Sequence, residues 1–278
     1  MQLYSGPLPG FVGETTRKEI AMTLARAFTS WFGRPPGGGE VRSWNNSLVR
    51  LKDVLVGASL EETGVILEYQ LPLSSRRLDC MVTGKDLHGS DRAEIIELKQ
   101  WESCKATEEE NLVLSYVGHA ERPVLHPCVQ VAGYETYLKD YHSTFSEENA
   151  VGLGSCAYLH NYRAKADDPL LAEKFTAVIQ AHPLFVANDF DRITRHLASK
   201  VGKGEGLQVL HRIEAGKTGP SKQLMKHVAE IIRGNPAYVL MDDQLVVYET
   251  VLRLARMAGP ATPKRCIVVR GGPGTGKS

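Results

Sequence analysis

The sequence predicts an α/β protein: a mixed sheet flanked by helices, then a mostly helical connector, and then the first strand and glycine-rich loop of a further domain. Three observations support this class. Short runs rich in β-branched residues lie between amphipathic helical segments in the first 160 residues. Helical periodicity dominates the next section, and residues 271–278 match the pattern G-x-x-x-x-G-K-S. We therefore predict three regions, residues 1–160, 161–236 and 237–278.

The composition is that of an ordinary globular protein. The 278 residues carry a formal net charge of +1, with 42% hydrophobic and 23% charged residues. A nucleic-acid surface on such a protein has to be a local patch. No stretch approaches the roughly 18 apolar residues of a membrane span, and the N-terminus has no signal-peptide pattern. The lack of such a span predicts no membrane partner, and five cysteines without a C-x-x-C pair favour a reducing cytoplasm.

Two helices are predicted in the first 60 residues. A capping box at Thr16–Glu19 precedes apolar residues at helical spacing as far as Trp31, and Gly33 is expected to end this helix. The apolar pattern predicts a second helix over Ser43–Leu55. Trp44 in this helix is expected to be a core residue rather than a base-stacking platform.

Three β-branched runs then predict neighbouring antiparallel strands, Val65–Leu71, Leu78–Val82 and Ala93–Leu98, each bounded by glycines. Three more elements follow in order: a strand over Leu112–Val117, a helix over Pro127–Tyr141, and a return to the sheet over Ser155–Leu159. In the helical section, helix caps are predicted at Asn188 or Asp189, at Ser221 and at Asp242.

One strand carries the acidic-x-lysine pattern Glu97-Leu98-Lys99. Side chains alternate along a strand, so Glu97 and Lys99 point the same way. Asp79 on the preceding strand lies opposite Glu97, and Glu68 could add a third carboxylate. Carboxylates that converge repel each other unless a cation lies between them. The pattern therefore predicts a Mg²⁺ site at Glu68, Asp79 and Glu97, with Lys99 activating the attacking water.

The alternative is a solvated strand face with a cross-strand salt bridge. Ile95 and Trp101 lie on the same face as the acidic pair and favour a covered cleft instead. Arg76 and Arg77, just before Asp79, are expected either to contact phosphates beside that cleft or to form a solvated pair.

Asp79 followed by Glu97-Leu98-Lys99 on the next strand resembles the PD-(D/E)xK nuclease superfamily. Gln130 and Tyr134 resemble the Q-x-x-x-Y element of its RecB-like members, and one helical turn separates them, so both can reach one substrate. The resemblance implies a PD-(D/E)xK-like mixed sheet. It also implies phosphodiester hydrolysis at Asp79, Glu97 and Lys99, with Gln130 and Tyr134 orienting the substrate.

A second resemblance covers nearly the whole chain. It rests on these segments in order: Ser43–Leu48, Glu68–Pro72, Ile95–Trp101, His126–Pro127, Pro220–Lys222, Asp243–Gln244 and Gly271–Ser278. They are similar to bacterial ATPases related to the Schlafen group 3 DNA/RNA helicase domain, which often carry a nuclease-like N-terminal region. The resemblance implies a superfamily 1-type motor that continues beyond Ser278, since the acidic ATPase motif, the sensor residues and the arginine finger are missing.

The terminal loop consists of Gly271, Gly272, Pro273, Gly274, Thr275, Gly276, Lys277 and Ser278. Its glycines allow backbone N–H groups to wrap a phosphate, with Lys277 reaching the β/γ-phosphates of ATP and Ser278 holding Mg²⁺. The run Arg265–Arg270 predicts the strand before this loop. Gln244, 27 residues earlier (271 − 244), is expected to read adenine, and the alternative is an ordinary surface glutamine. With the P-loop domain incomplete, negligible ATP hydrolysis is expected from this chain.

The sequence thus predicts an enzyme of the bacterial cytoplasm: a Mg²⁺-dependent nuclease fused to an ATP-driven helicase. Its cofactors are Mg²⁺ and ATP, and its partner is nucleic acid, DNA in preference to RNA. Two alternatives stay open. The nuclease fold could serve only to bind nucleic acid for the ATPase, or the chain could be a regulatory ATPase without nuclease activity. The oligomeric state is left open.

Overall fold

The computed structural model describes residues 1–60, 62–118, 120–221, 224–225, 240, 242–257 and 266–270. These residues form a mixed α/β fold with a six-stranded sheet, a smaller three-stranded sheet and helices packed against them. The predicted α/β class is therefore confirmed. None of the described helices combines the length and apolar character needed to cross a membrane.

The described strands are β1 (Tyr4–Pro7), β2 (Gly64–Gln70), β3 (Arg77–Lys85), β4 (Asp91–Lys99), β5 (Cys104–Lys105), β6 (Leu112–Val117), β7 (Ala120–Leu125), β8 (Gly152–Leu159) and β9 (Leu184–Val186). The described α-helices are α1 (Leu8–Thr16), α2 (Ile20–Phe32), α3 (Gly38–Gly57), α4 (Pro127–Tyr141), α5 (Thr176–Ala181), α6 (Phe190–Val201), α7 (Gly206–Ala215) and α8 (Asp243–Arg256). Short 3₁₀ turns lie at Ser143–Phe145, Pro169–Leu171 and Glu173–Phe175.

The large sheet has the strand order β1-β2-β3-β4-β8-β9. Strands β1 to β4 pair antiparallel, whereas β8 pairs parallel with both β4 and β9. The three predicted antiparallel neighbours and the returning strand are therefore confirmed. The predicted strand Leu112–Val117 also exists, but it belongs to the separate three-stranded sheet β5-β6-β7.

Helices cover both faces of the large sheet. Neighbouring residues of β4 enter different cores: Ile96 packs with Leu51 beneath the first three helices and α6, and Ile95 packs with Val131 beneath α4 and α7. A third core around Phe175 lies between β6, β8 and the 3₁₀ turns. This two-sided cover explains why the central strands read as nearly continuous apolar runs.

The segment predicted as a helical connector contributes to the same fold. Strand β9 extends the sheet beside β8, α6 packs on β3 and β4, and α7 packs on β2 and β3. Residues 184–215 therefore share the sheet and the cores of the segment before them.

The predicted capping box at Thr16–Glu19 is wrong. Thr16 is the last residue of α1, and its hydroxyl donates to the carbonyl oxygen of Val12 at 2.7 Å. Helix α2 begins at Ile20 without a side-chain cap, after a turn in which Lys18 has φ of 60°. The helix before the turn was missed because its Pro- and Gly-containing segment lacks a clear apolar period. Gly33, with φ of 66°, ends α2 as predicted, whereas Trp31 is 63% exposed.

The later helices agree better with the predictions. Helix α4 has the predicted bounds, and the His126 ring nitrogen Nδ1 caps it by accepting from the Cys128 N–H at 3.2 Å. Ser221 also acts as a cap, since its hydroxyl accepts from the Leu224 N–H at 3.0 Å. Asp189 precedes α6 but accepts from the Val186 N–H instead. Helix α3 is longer than predicted at both ends.

The predicted strand Arg265–Arg270 is not formed where the structure describes it. Residues 266–270 are exposed and have no regular secondary structure. They pair with none of the described strands, so their backbone groups lack the ladder that a strand requires. The loop 271–278 lies outside the described residues.

Candidate active site

Strands β3 and β4 separate at one end, and this opening positions Asp79. The two strands pair from Lys85 and Asp91 as far as Cys80 and Ile96. Beyond that pair the Asp79 carboxylate takes the place of a backbone partner, because its Oδ2 accepts from the Leu98 N–H at 2.7 Å. Asp79 therefore lies opposite Glu97, as the register of the sequence patterns predicts.

The neighbouring strand β2 is distorted at the same level. Glu68 has φ of 52°, a left-handed conformation that non-glycine residues rarely adopt. As a result Leu67 and Tyr69, two residues apart, pack in different cores on different faces of the sheet. Backbone of this kind costs about 1–3 kcal/mol and concentrates at functional sites.

The Glu68 carboxylate is held by protein groups. Oε1 accepts from the Trp44 indole N–H at 2.7 Å, and Oε2 lies 3.2 Å from Arg77 Nε. Burial raises the pKa of Glu68 to about 7 against the opposing effects of Arg77 and Trp44. Trp44 is a core residue as predicted, but it also orients this acid. Arg77 is likewise engaged, since it also pairs with Glu40.

Glu97 is the most unusual carboxylate of the site. It is 2% exposed, its Oε1 accepts from Lys99 Nζ at 2.7 Å, and its buried Oε2 has no hydrogen-bond partner among the described residues. Burial and the charge of Asp79 raise the pKa of Glu97 to about 8. Burial and the charge of Glu68 similarly raise the pKa of Asp79 to about 6. The two acids therefore interact closely, and one ligand atom remains available.

Lys99 completes this group. Burial lowers the pKa of its ammonium, but the charges of Glu97, Asp79 and Asp242 raise it and prevail. The Nζ atom also lies 5.9 Å from the centre of the Trp101 ring. The predicted common orientation of Glu97 and Lys99 is confirmed, and the lysine is a partly buried cation paired with Glu97.

Helix α4 places Gln130 and Tyr134 beside these acids. Gln130 Nε2 donates to Tyr134 Oη at 2.8 Å, and the Tyr134 hydroxyl in turn donates to Asp242 at 3.0 Å. Burial, followed by the charge of Glu97, raises the pKa of Tyr134, so the hydroxyl remains a donor. The two residues of the Q-x-x-x-Y pattern thus form one hydrogen-bonded pair next to Glu97.

Asp242 is the residue of this site that the sequence did not predict. Its Oδ2 lies 3.4 Å from Arg76 Nε, and it accepts from Tyr134 although the two are 108 residues apart. The side chain makes no hydrogen bond that caps α8, contrary to prediction. A local sequence pattern cannot reveal such a distant partner. The sequence shows only that two acids, Asp242 and Asp243, are adjacent. In the structure both of them pair with Arg76.

A small cavity of about 30 Å³ lies beside Asp79 and Glu68. Ser43, Trp44 and Ser47 of α3 also line it, together with Leu24, Leu48, Leu67 and Leu98. The two serines accept hydrogen bonds from Gln100 Nε2, at 2.8 Å for Ser43 and 3.0 Å for Ser47. The volume suits one water molecule or one ion among polar groups.

Asp79 and Glu97 fit a hard divalent cation better than the full predicted set does. Mg²⁺ prefers carboxylate oxygens and usually keeps several waters. The two carboxylate oxygens of Glu68, by contrast, are already engaged by the Trp44 indole N–H and by the Arg77 guanidinium. Its oxygens do not join those of Asp79 and Glu97 in one set within 4.8 Å.

Among the described residues, the set of three metal-capable side chains that lies within 4.8 Å is Glu94, Cys156 and His196. Glu94 Oε1 and His196 Nε2 are 2.7 Å apart, which is a direct hydrogen bond. Two ligands of one tetrahedral zinc with bonds of about 2.1 Å lie about 3.4 Å apart. This cluster is therefore a hydrogen-bonded carboxyl–imidazole pair beside a thiol.

The predicted nucleotide site is only partly within the described residues. Gln244 lies in the first turn of α8, close to Asp242 and Asp243. Gly271 to Ser278 lie outside the described residues, so the ATP site stays a prediction. Comparison of the chain with family models, curated proteins and solved structures finds no match.

Proposed function

We propose that the sheet domain is a Mg²⁺-dependent nuclease of the PD-(D/E)xK type, and that the whole protein couples it to an ATP-driven helicase. The observation that carries the proposal is the group of buried Glu97 and partly buried Asp79 and Lys99 at the opening between β3 and β4. Within it, no residue in the described part of the chain makes a hydrogen bond to Glu97 Oε2. A buried acceptor without a partner destabilises a protein, so its retention favours a ligand.

The electrostatics support a cation at the same place. Two carboxyl groups with raised pKa values lie side by side with one lysine among them. A divalent ion would stabilise both as carboxylates and release their protons. Asp79 and Glu97 would hold it, and the Leu98 carbonyl follows on the same strand.

The chain's own residues then have distinct roles in hydrolysis, in which water adds across a P–O bond. Bound Mg²⁺ would polarise the phosphate and lower the pKa of a bound water. Lys99, as an ammonium, would orient the attacking water and neutralise charge on the phosphate. Tyr134 and Gln130 would donate to phosphate oxygens and position the backbone.

The first test is cleavage of labelled DNA and RNA by the purified chain with Mg²⁺. Lys99→Ala and Asp79→Asn are expected to reduce the rate by about 10²–10⁴-fold, the range typical of positioned acid–base groups. Lys139→Ala is the matched control, because that lysine pairs with Glu135 on α4 and is 46% exposed. Cleavage by Lys99→Ala at the parental rate would refute the assignment.

A nucleic-acid-binding module without activity is the second candidate. The raised pKa of Glu97, about 8, favours it, because metal ligands must be deprotonated and a protonated carboxyl group binds Mg²⁺ poorly. Binding that survives chelation of divalent ions, with no cleavage of any single- or double-stranded substrate, would support this candidate instead.

A further inference from the structure

Asp242 stands at the N-cap position of α8 but does not cap the helix. Aspartate at this position normally accepts from the N–H groups of the first turn. Here the side chain makes no such bond, and the backbone has φ of 44° and ψ of −116°. The residue is nevertheless 8% exposed. Neither helix capping nor the backbone conformation favours this position of the Asp242 side chain. Contacts outside α8 therefore hold its carboxylate in place.

Those contacts come from the candidate active site. The Tyr134 hydroxyl donates to Asp242 Oδ2 at 3.0 Å, and Arg76 Nε lies 3.4 Å from the same oxygen. The charge of Asp242 also acts on the Lys99 ammonium. A phenol, a guanidinium and an ammonium around one anionic group are the donors that proteins use for phosphate oxygens.

We propose that the Asp242 carboxylate occupies the subsite for a substrate phosphate, formed by Arg76, Tyr134 and Lys99, and that nucleic acid must displace it to bind. The inference rests on the proposed nuclease function and adds its regulation. It also assigns Arg76 a role in positioning the substrate. An oxygen of a phosphodiester would accept from the same hydroxyl and the same guanidinium.

The rest of α8 holds Asp242 in this position. Asn111 Nδ2 donates to Glu249 Oε1 at 2.9 Å, and Arg253 Nε lies 2.6 Å from Glu109 Oε1. Asp243 pairs with Arg76 from the exposed side. If Asp242 leaves the subsite in only a small fraction of molecules, the apparent affinity for substrate is the intrinsic affinity multiplied by that fraction.

The test measures binding without cleavage. A fluorescein-labelled single-stranded DNA of about 20 nucleotides is titrated with the full chain in EDTA, and anisotropy is recorded. Asp242→Asn keeps the side-chain shape and removes its charge, and it is expected to bind about tenfold more tightly than the parent. Glu102→Gln, the control, removes one negative charge from an exposed side chain three residues after Lys99, and is expected to change affinity less than about twofold.

The outcomes separate this inference from the proposed function. Equal affinity for the parent and Asp242→Asn overturns the inference, even if the parent cleaves DNA in Mg²⁺. Tighter binding by Asp242→Asn, with no cleavage in Mg²⁺ by either the parent or this variant, supports the inference and refutes the nuclease. Equal gains from both substitutions would mean a general charge effect and would also overturn it.

A second measurement needs no variant. Saturating DNA should free α8 in the parent chain, so trypsin should cut at Arg253 and Arg256 severalfold faster with the oligonucleotide than without it. Unchanged or slower cleavage at these sites, while DNA is bound, contradicts displacement. This arm tests the inference even if Asp242→Asn folds poorly.

Discussion

At neutral pH the buried carboxyl group of Glu97 resists ionisation, since burial and the nearby Asp79 charge raise its pKa to about 8. In the unfolded chain the same group ionises near its ordinary value of 4.5. The folded state therefore binds the proton more tightly than the unfolded state. This contribution to stability is fully present below about pH 4.5 and is lost as the pH rises through about 8.

Glu97→Gln should remove the part of the stability loss at rising pH that comes from ionisation of Glu97. In EDTA, the melting temperature of the variant relative to the parent is expected to increase between pH 4.5 and pH 8, because glutamine cannot ionise. Each unit of pKa shift corresponds to about 1.4 kcal/mol. Thermal unfolding followed by circular dichroism at several pH values measures the difference.

Glu135 supplies a control of opposite sign. Burial raises its pKa, but bonds from His182, Lys139 and Ser155 prevail and lower it to about 2. Its stabilisation is present above about pH 4.5 and is lost as the pH falls through about 2. Glu135→Gln should therefore be less stable than the parent at pH 7. A parallel response of both variants to pH would contradict the assigned electrostatics.

At the scale of single elements, the close packing of α7 against the sheet depends on its first residue. A Cβ added at Gly206 would overlap the Thr83 carbonyl oxygen and the Gly64 backbone nitrogen. The Thr83 hydroxyl also donates to the Gly206 carbonyl at 2.7 Å. No side-chain rotation can relieve contacts between backbone atoms.

Gly206→Ala is expected to destabilise the chain by about 1–3 kcal/mol, because α7 must move away from β2 and β3. Gly39→Ala in α3 is the matched control: nothing lies within 4 Å of its added Cβ, and alanine should stabilise that helix by about 0.5–1 kcal/mol. Urea denaturation of both variants measures the change. Equal stability of Gly206→Ala and the parent would show that α7 docks loosely.

Elements with strong local patterns were predictable from the sequence. The β-branched runs that became β2, β3 and β4 were found, and so was α4, which begins at Pro127. Strands β1 and β9 were missed because they are short and owe their existence to pairing with strands distant in sequence. Tertiary context, rather than local preference, determines such strands.

The site was predictable to the same extent. Asp79, Glu97 and Lys99 follow from strand alternation and register. The distorted backbone at Glu68 and the arrival of Asp242 do not, since both depend on contacts far away in sequence. Sequence periodicity carries no information on which distant side chains finally meet.

For the whole molecule, the hydrophobic cores show which part of the chain can fold alone. In the part of the chain that the structure describes, the three clusters of buried apolar residues lie between Leu3 and Ile213, and the six strands of the main sheet lie between Tyr4 and Val186. Helix α8 adds polar contacts to this unit rather than a core of its own.

A chain ending at Ser221 is therefore expected to fold with one cooperative transition. Its melting temperature should lie within about 10 °C of the full chain, because a loss of about 1 kcal/mol lowers it by about 2–4 °C in a domain of this size. Circular dichroism and calorimetry measure this. A molten or aggregated product would mean that residues 222–278 contribute to the core.

The position of β4 between an antiparallel and a parallel neighbour also sets an order for biosynthesis. Its partner β8 begins 53 residues after β4 ends (152 − 99). At about 5–20 residues per second the ribosome needs several seconds to supply that partner. During this interval β4 has an open edge on the side that β8 later covers, so Glu97 is not yet enclosed. The parallel half of the sheet is thus the last part of the central strand's surroundings to be synthesised.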